Sequence, residues 1–77
     1  MAGHGYSTLM IQAINDANPF LTGVKLAKIC VRLSIPVKDV AEYLDVSRPT
    51  VYGWFVGKKE VSEPYRERVE KLIEKLA

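Results

Sequence analysis

The sequence has little of what builds a disulfide framework, a metal site or a catalytic centre. It contains one cysteine, Cys30, and one histidine, His4, among 77 residues. One thiol cannot form an internal disulfide, and one Cys with one His supplies too few ligands for zinc. The serines form no recognisable set with a base, so we expect no enzyme, no cofactor and no small-molecule substrate. Cys30 falls on an apolar helical stripe, which predicts a structural thiol.

Long apolar runs and a signal-like beginning are also missing. No run approaches the about 20 apolar residues that span a membrane, and the first residues lack the charged and apolar regions of a secretory signal. We therefore expect no membrane partner and a cytoplasmic location. The composition, 48% hydrophobic and 26% charged, is typical of a globular chain and excludes a disordered one. At this length we expect one domain, residues 6–77, after a flexible segment, residues 1–5.

Positive charge is concentrated in the middle of the chain. The net charge is only +2. Residues 22–59, however, hold seven Lys and Arg against three Asp and Glu, while both flanks are slightly acidic. Such a distribution is compatible with an anionic partner, although a charge run is usually only a solvated face.

Apolar residues recur at helical spacing in five segments, and no strand-like alternation interrupts them. The predicted fold is all-α, a compact bundle of about five short helices. The segments cover residues 7–17, 22–33, 36–44, 48–56 and 63–76. The positions that we expect in the core are Met10, Ala13, Ile14 and Ala17, then Leu26, Ile29, Cys30 and Leu33, then Val37, Val40, Ala41 and Leu44, then Val51, Trp54 and Phe55, and finally Tyr65, Val69, Leu72, Ile73 and Leu76.

Start and stop signals support these segments. Ser7, Thr22 and Ser47 are candidate N-caps, because their hydroxyls can accept from the free N–H groups of a first helical turn. Pro36 suits a first turn, since a proline has no N–H to leave unpaired. Gly57 is the expected stop of the fourth segment.

The third and fourth segments are short helices with a very tight turn between them, which restricts several positions. Ala41 is small where the two helices cross. Asp45 stands where the turn needs positive φ, for which glycine is best and Asn or Asp comes next. Ser47 caps the second helix, and Trp54 anchors it to the core.

These features lie in the stretch VKDVAEYLDVSRPTVYGWFVGKK, residues 37–59, which resembles the helix-turn-helix family of phage lambda repressor and Cro. The departure is Asp45, where that family usually has glycine. The resemblance implies a helix-turn-helix domain that binds double-stranded DNA sequence-specifically, with helix 48–56 in the major groove and the helix before it across the phosphate backbone. It further implies a small bacterial or phage transcriptional regulator that is repressor-like and associated with the nucleoid.

The resemblance assigns the DNA-facing positions. They fall on Ser47, Arg48, Pro49, Tyr52, Gly53 and Val56. Thr50 is intermediate between these DNA-facing positions and the core positions of the helix. Arg48 is the best candidate for reading a base, because its guanidinium can donate two hydrogen bonds to guanine, worth about 1–3 kcal/mol of discrimination. Ser47 is either a cap alone or also a phosphate contact, and Tyr52 either contacts DNA or is an ordinary exposed tyrosine.

Gly53 is informative because a glycine inside a helix costs about 1 kcal/mol relative to alanine. We expect it to allow either close approach to DNA or tight helix packing. Lys38, Lys58 and Lys59 are candidate phosphate contacts, although Lys58 and Lys59 also complement a helix C-terminus.

Two interpretations of partners remain. One short recognition helix reads few base pairs, so we expect a homodimer on paired half-sites. The alternative to DNA binding is a helical protein–protein interaction module that uses the 7–17 or the 63–76 helix.

Overall fold

Five α-helices with short connections make up the part of the chain that the computed structural model describes, residues 6–77, and this part contains no strand. The helices are α1 (Thr8–Asp16), α2 (Thr22–Leu33), α3 (Val37–Leu44), α4 (Arg48–Phe55) and α5 (Tyr65–Leu76). The Cα radius of gyration is 11.2 Å, against about 11.5 Å for a compact chain of this length. The all-α prediction is confirmed, and the segment predicted to be flexible, residues 1–5, lies outside the described residues.

Side chains cap three of the five helix N-termini, in two different ways. Ser7 and Ser47 cap α1 and α4 as predicted, since their hydroxyls accept from the N–H groups of Met10 and Thr50. The prediction for Thr22 is wrong, because Thr22 is the first helical residue and its N–H donates to Glu60 Oε1 at 3.2 Å. The same carboxylate oxygen accepts from the Val61 N–H at 2.9 Å. This cap comes from a distant part of the chain, so local patterns do not reveal it.

Three helices end in the same way, with one residue in the left-handed region. These residues are Ser34 after α2, Asp45 after α3 and Gly57 after α4, with φ of 60°, 59° and 78°. In each case the next residue's N–H donates to a carbonyl five positions earlier: Ile35 to Cys30 at 2.9 Å, Val46 to Ala41 at 3.0 Å and Lys58 to Gly53 at 3.0 Å. This is the Schellman arrangement. It confirms the predicted roles of Asp45 and Gly57.

The core is centred on α2, which packs against α1, α4 and α5, while α3 packs against α4 and α5. The predicted core residues of α3 and α4 are all buried, as is Cys30. Burial raises the pKa of the Cys30 thiol to about 11, so it packs as a small apolar side chain. Val61 is also fully buried, although it lies in a loop that the helical pattern did not cover.

The predicted stripes of the other helices need correction. Leu33 is 44% exposed, whereas Gly23, Val24 and Ala27 are buried beside Leu26 and Cys30. Because α2 contacts three helices, its buried side is broader than one stripe and includes its first turn. In the outer helices only part of each stripe is buried: Ile14 in α1, and Val69 and Leu72 in α5.

Gly23 allows α2 to approach the backbone of α4 closely. A Cβ atom at this position would lie 2.6 Å from the Trp54 carbonyl oxygen and 2.7 Å from the Trp54 Cβ. Both atoms belong to the rigid part of a buried residue, so any side chain here would force the two helices apart.

We predict that Gly23→Ala destabilises the fold by about 1–3 kcal/mol, the usual cost of overpacking a core, even though alanine favours a helix. Gly53→Ala is the matched control, because a Cβ there meets no atom of the described residues within 4 Å. This control should gain about 1 kcal/mol from helix propensity. Urea unfolding of both variants measures the difference, and equal stability would contradict the close approach.

We predict that Asp45→Gly stabilises the protein by roughly 0.5–1 kcal/mol, because glycine removes the strain of a left-handed Asp and this outweighs the added entropy of the unfolded chain. Glu42→Gly, at an exposed position inside α3, should instead lose about 1 kcal/mol. Thermal unfolding of the pair tests this. A loss of stability in Asp45→Gly would show that the aspartate side chain supports the turn.

Candidate functional site

Helix α4 has one buried and one exposed side. Val51, Trp54 and Phe55 are buried, and the Trp54 ring packs on the Tyr65 ring with centroids 5.9 Å apart. Thr50 and Tyr52 are exposed on the two flanks of this buried side, each lining a different surface depression. The inner side therefore holds α4 on the body of the protein and leaves its outer side accessible.

The start of α4 is closely tied to α3. Residues 45–47 alone separate the two helices, which pack against each other. The Ser47 hydroxyl accepts from the Thr50 N–H at 3.4 Å and lies 2.9 Å from the Thr50 hydroxyl. Pro49 falls in the first turn, where no N–H donor is needed. The capping role of Ser47 is confirmed.

An open depression of about 410 Å³ lies on one side of α4. We name it the Lys38–Arg48 depression. It is lined by Tyr6, Ser7, Met10, Pro36, Val37, Lys38, Arg48 and Tyr52. Apart from Tyr6 and Tyr52, these residues cap or begin α1, α3 and α4, so three helix N-termini border the depression. Helix N-termini carry partial positive charge, and this adds to the charges of Lys38 and Arg48.

Tyr6 lies in this depression and is engaged with the protein. Its hydroxyl donates to the Ile35 carbonyl at 2.6 Å, and its ring centroid is 6.4 Å from that of Phe55. Burial raises the pKa of Tyr6 well above its usual value, and the neighbouring Cys30, Tyr52 and Asp39 raise it further. Tyr6 therefore stays protonated and adds no negative charge.

A second depression, of about 280 Å³, is lined by Pro49, Thr50, Gly53, Lys58 and Lys59. We name it the Lys58–Lys59 depression. The N–H groups of Lys58 and Lys59 both donate to the Gly53 carbonyl, at 3.0 and 3.3 Å. The bonds that end α4 therefore also hold these two lysines beside its glycine. In the described part of the chain, neither depression is lined by Asp or Glu.

Gly53 faces open space. Among residues 6–77, no atom beyond its own neighbourhood lies within 4 Å of the place where a Cβ would stand, so tight packing among these residues does not explain this glycine. The glycine that tight helix packing requires is Gly23, on α2. The other explanation for Gly53, a close approach of DNA to α4, stays a prediction.

The structure brings most of the predicted site residues together. All except Ser47 and Val56 line one of the two depressions. Ser47 is exposed but serves as the cap, and Val56 is half-buried against the core at the end of α4. Sequence reasoning missed Tyr6 and treated Ser7 only as a cap, because their place beside α3 and α4 depends on how α1 packs.

Residues 6–77 contain no group of three or more His, Cys, Asp or Glu that could hold a metal ion. None of the helices among them is long and apolar enough to cross a membrane.

Comparison of the chain with models of known protein families, with curated proteins and with solved structures found no match. Its function must therefore be argued from the site itself, since a fold alone does not define one.

Proposed function

We propose that this chain binds double-stranded DNA sequence-specifically, as a helix-turn-helix protein that inserts α4 into the major groove. One observation carries the proposal. The outer side of α4 is exposed and carries an unobstructed glycine, and basic depressions free of Asp and Glu lie on both sides of the helix.

The dimensions of α4 suit a duplex. Its eight residues make a rod about 12 Å long, and the major groove, about 12 Å wide, admits one α-helix. Phosphates run along both edges of that groove. Lys38 on one side, and Lys58 and Lys59 on the other, can contact the two edges. Arg48, the first residue of α4, is the best candidate for reading a base.

The connection to α3 supports the same interpretation. The tight turn with Asp45 at positive φ and the Ser47 cap are the features on which the resemblance to the lambda repressor and Cro family rests. In that arrangement α3 crosses the backbone, and Lys38 lies in its first turn. We extend the proposal to a small bacterial or phage transcriptional regulator.

Dimerisation belongs to the same proposal, because paired half-sites would lengthen the sequence that is read. On α5, Ile73 and Leu76 line two different depressions. Ile73 lines one beside α2, together with Thr22 and Lys25. Leu76 lines the other beside α3, together with Val40 and Tyr43. Half-site symmetry among selected duplexes would reveal a dimer.

The alternative is a protein-interaction module, and two exposed side chains favour it. Leu9 on α1 is 81% exposed and Phe20 in the following loop is 82% exposed. A partner that covers them would use α1 rather than α4.

We predict salt-dependent binding to duplex DNA. If about four lysines and arginines per subunit each neutralise a phosphate, the logarithm of the affinity should fall linearly with the logarithm of salt concentration, with a slope of about −3.6 per subunit. Mobility shifts with random genomic fragments at increasing salt give this slope. Absence of binding at low salt would overturn the proposal and favour the interaction module.

We predict that Gly53→Leu weakens binding to a selected duplex by roughly tenfold or more, because a bulky side chain on the outer side of α4 obstructs the groove. Gly53→Ala should have a much smaller effect. Both variants should remain folded, since leucine and alanine favour a helix more than glycine does. Fluorescence anisotropy measures the affinities, and unchanged binding by the folded Leu variant would show that α4 is not the inserted helix.

A further inference from the structure

We propose that the surface around Gly53 accepts the 5-methyl group of a thymine in the major groove, so that the protein prefers thymine at one position of its DNA site. This inference rests on the proposed DNA binding and names a base that α4 recognises. The contact is made by Pro49, Thr50 and Gly53, which line one part of the Lys58–Lys59 depression. We name this part the α4 notch.

The α4 notch lies opposite the buried side of its helix. Pro49 and Gly53 are four residues apart, so they follow one another along one side of the helix surface. Val51 and Phe55, also four residues apart, follow one another on the opposite side and are fully buried. When α4 is inserted into a groove with its buried side toward the protein, the notch therefore faces the bases.

The hydrogen-bonding groups of the notch are already engaged. The Gly53 carbonyl accepts from two N–H groups that follow the end of α4, at 3.0 and 3.3 Å. The Thr50 hydroxyl lies 2.9 Å from the Ser47 hydroxyl, and the Thr50 N–H donates to the same Ser47 oxygen. Pro49 has no N–H. The surface left for a ligand is therefore apolar: the proline ring, the threonine methyl group and the glycine Cα.

An apolar surface in the major groove selects one feature of the bases. The other groups that distinguish the bases there are hydrogen-bond donors and acceptors, whereas thymine presents a methyl group. The space fits this group. Among residues 6–77, the place of a Cβ on Gly53 has no atom within 4 Å beyond the glycine's own neighbourhood, and carbon atoms in contact lie about 3.5–4.0 Å apart. A thymine methyl can therefore rest against the Gly53 Cα, where any other residue would carry its own Cβ.

The two lysines of the same depression suit this placement. The methyl group of thymine lies on the side of the base that is nearer to the backbone of its own strand, so phosphates of that strand border the notch. The ammonium groups of Lys58 and Lys59 can contact these phosphates. One strand would then be held by its phosphates and read by its methyl group in a single depression.

The experiment uses the duplex that the wild-type protein selects best from a randomised pool. Each thymine in it is replaced in turn by uracil, which removes the methyl group and keeps the base pair. We expect one position per bound subunit at which uracil weakens wild-type binding by about three- to fourfold, the worth of one buried methyl group. Fluorescence anisotropy at a fixed salt concentration measures the affinities.

Two variants connect that position to the notch. Gly53→Ala places its own methyl group where the thymine methyl would lie, so it should bind the thymine and uracil duplexes equally well. Thr50→Ser removes the threonine methyl but keeps the hydroxyl that bonds to Ser47, so its preference for thymine should fall below about twofold. Circular dichroism confirms that both variants are folded.

The controls separate this contact from other effects. The remaining thymines of the duplex should respond to uracil in the same way in the wild type and in both variants. Lys59→Gln changes the same depression without changing the notch, so it should weaken the thymine and uracil duplexes by the same factor and make the salt slope shallower.

The two possible failures are distinguishable. If uracil weakens binding at no position, or if the sensitive position responds to uracil in either notch variant as it does in the wild type, the notch does not hold a thymine methyl and the inference is wrong, while DNA binding stands. If the wild-type protein selects no duplex from the pool, the proposed function itself fails.

Discussion

The close approach of α2 to the backbone of α4 at Gly23 is the contact on which the site depends. Trp54 is buried at this contact and also packs on Tyr65 of α5, so α4 is held between two helices by its inner side. Fixing that side determines which residues remain outside. The exposed Thr50 and Tyr52, the open space at Gly53 and the two flanking depressions all follow from the position of one helix relative to α2.

The backbone bonds that end the helices also shape the site. The Schellman bond from Lys58 to Gly53 ends α4 and at the same time brings Lys58 and Lys59 beside its outer side. The turn at Asp45 ends α3 in the same way and lets α4 begin within three residues. The backbone that carries Lys58 and Lys59 is therefore fixed by hydrogen bonds that end a helix rather than left in a long loop, so an anion bound there would order only the side chains.

Local chemistry was enough to predict the region from α3 to the end of α4. Proline, serine, positive-φ aspartate and glycine each act through neighbours a few residues away, so Ser47, Asp45 and Gly57 have the predicted roles. Features that depend on distant segments could not be predicted. Glu60 replaces Thr22 as the cap of α2, and Gly23, not Gly53, is the glycine required by packing. The position of Tyr6 and Ser7 beside Arg48 likewise follows from how α1 packs, which no local pattern encodes.

The most direct test of the account is to map the amide chemical-shift changes of isotopically labelled protein as a selected duplex is added. The account predicts that the largest changes lie in the first turn of α3, on the outer side of α4, and at Lys58 and Lys59, with α5 little affected. Changes concentrated on α1 around Leu9, or on α5, with α4 unaffected, would contradict it.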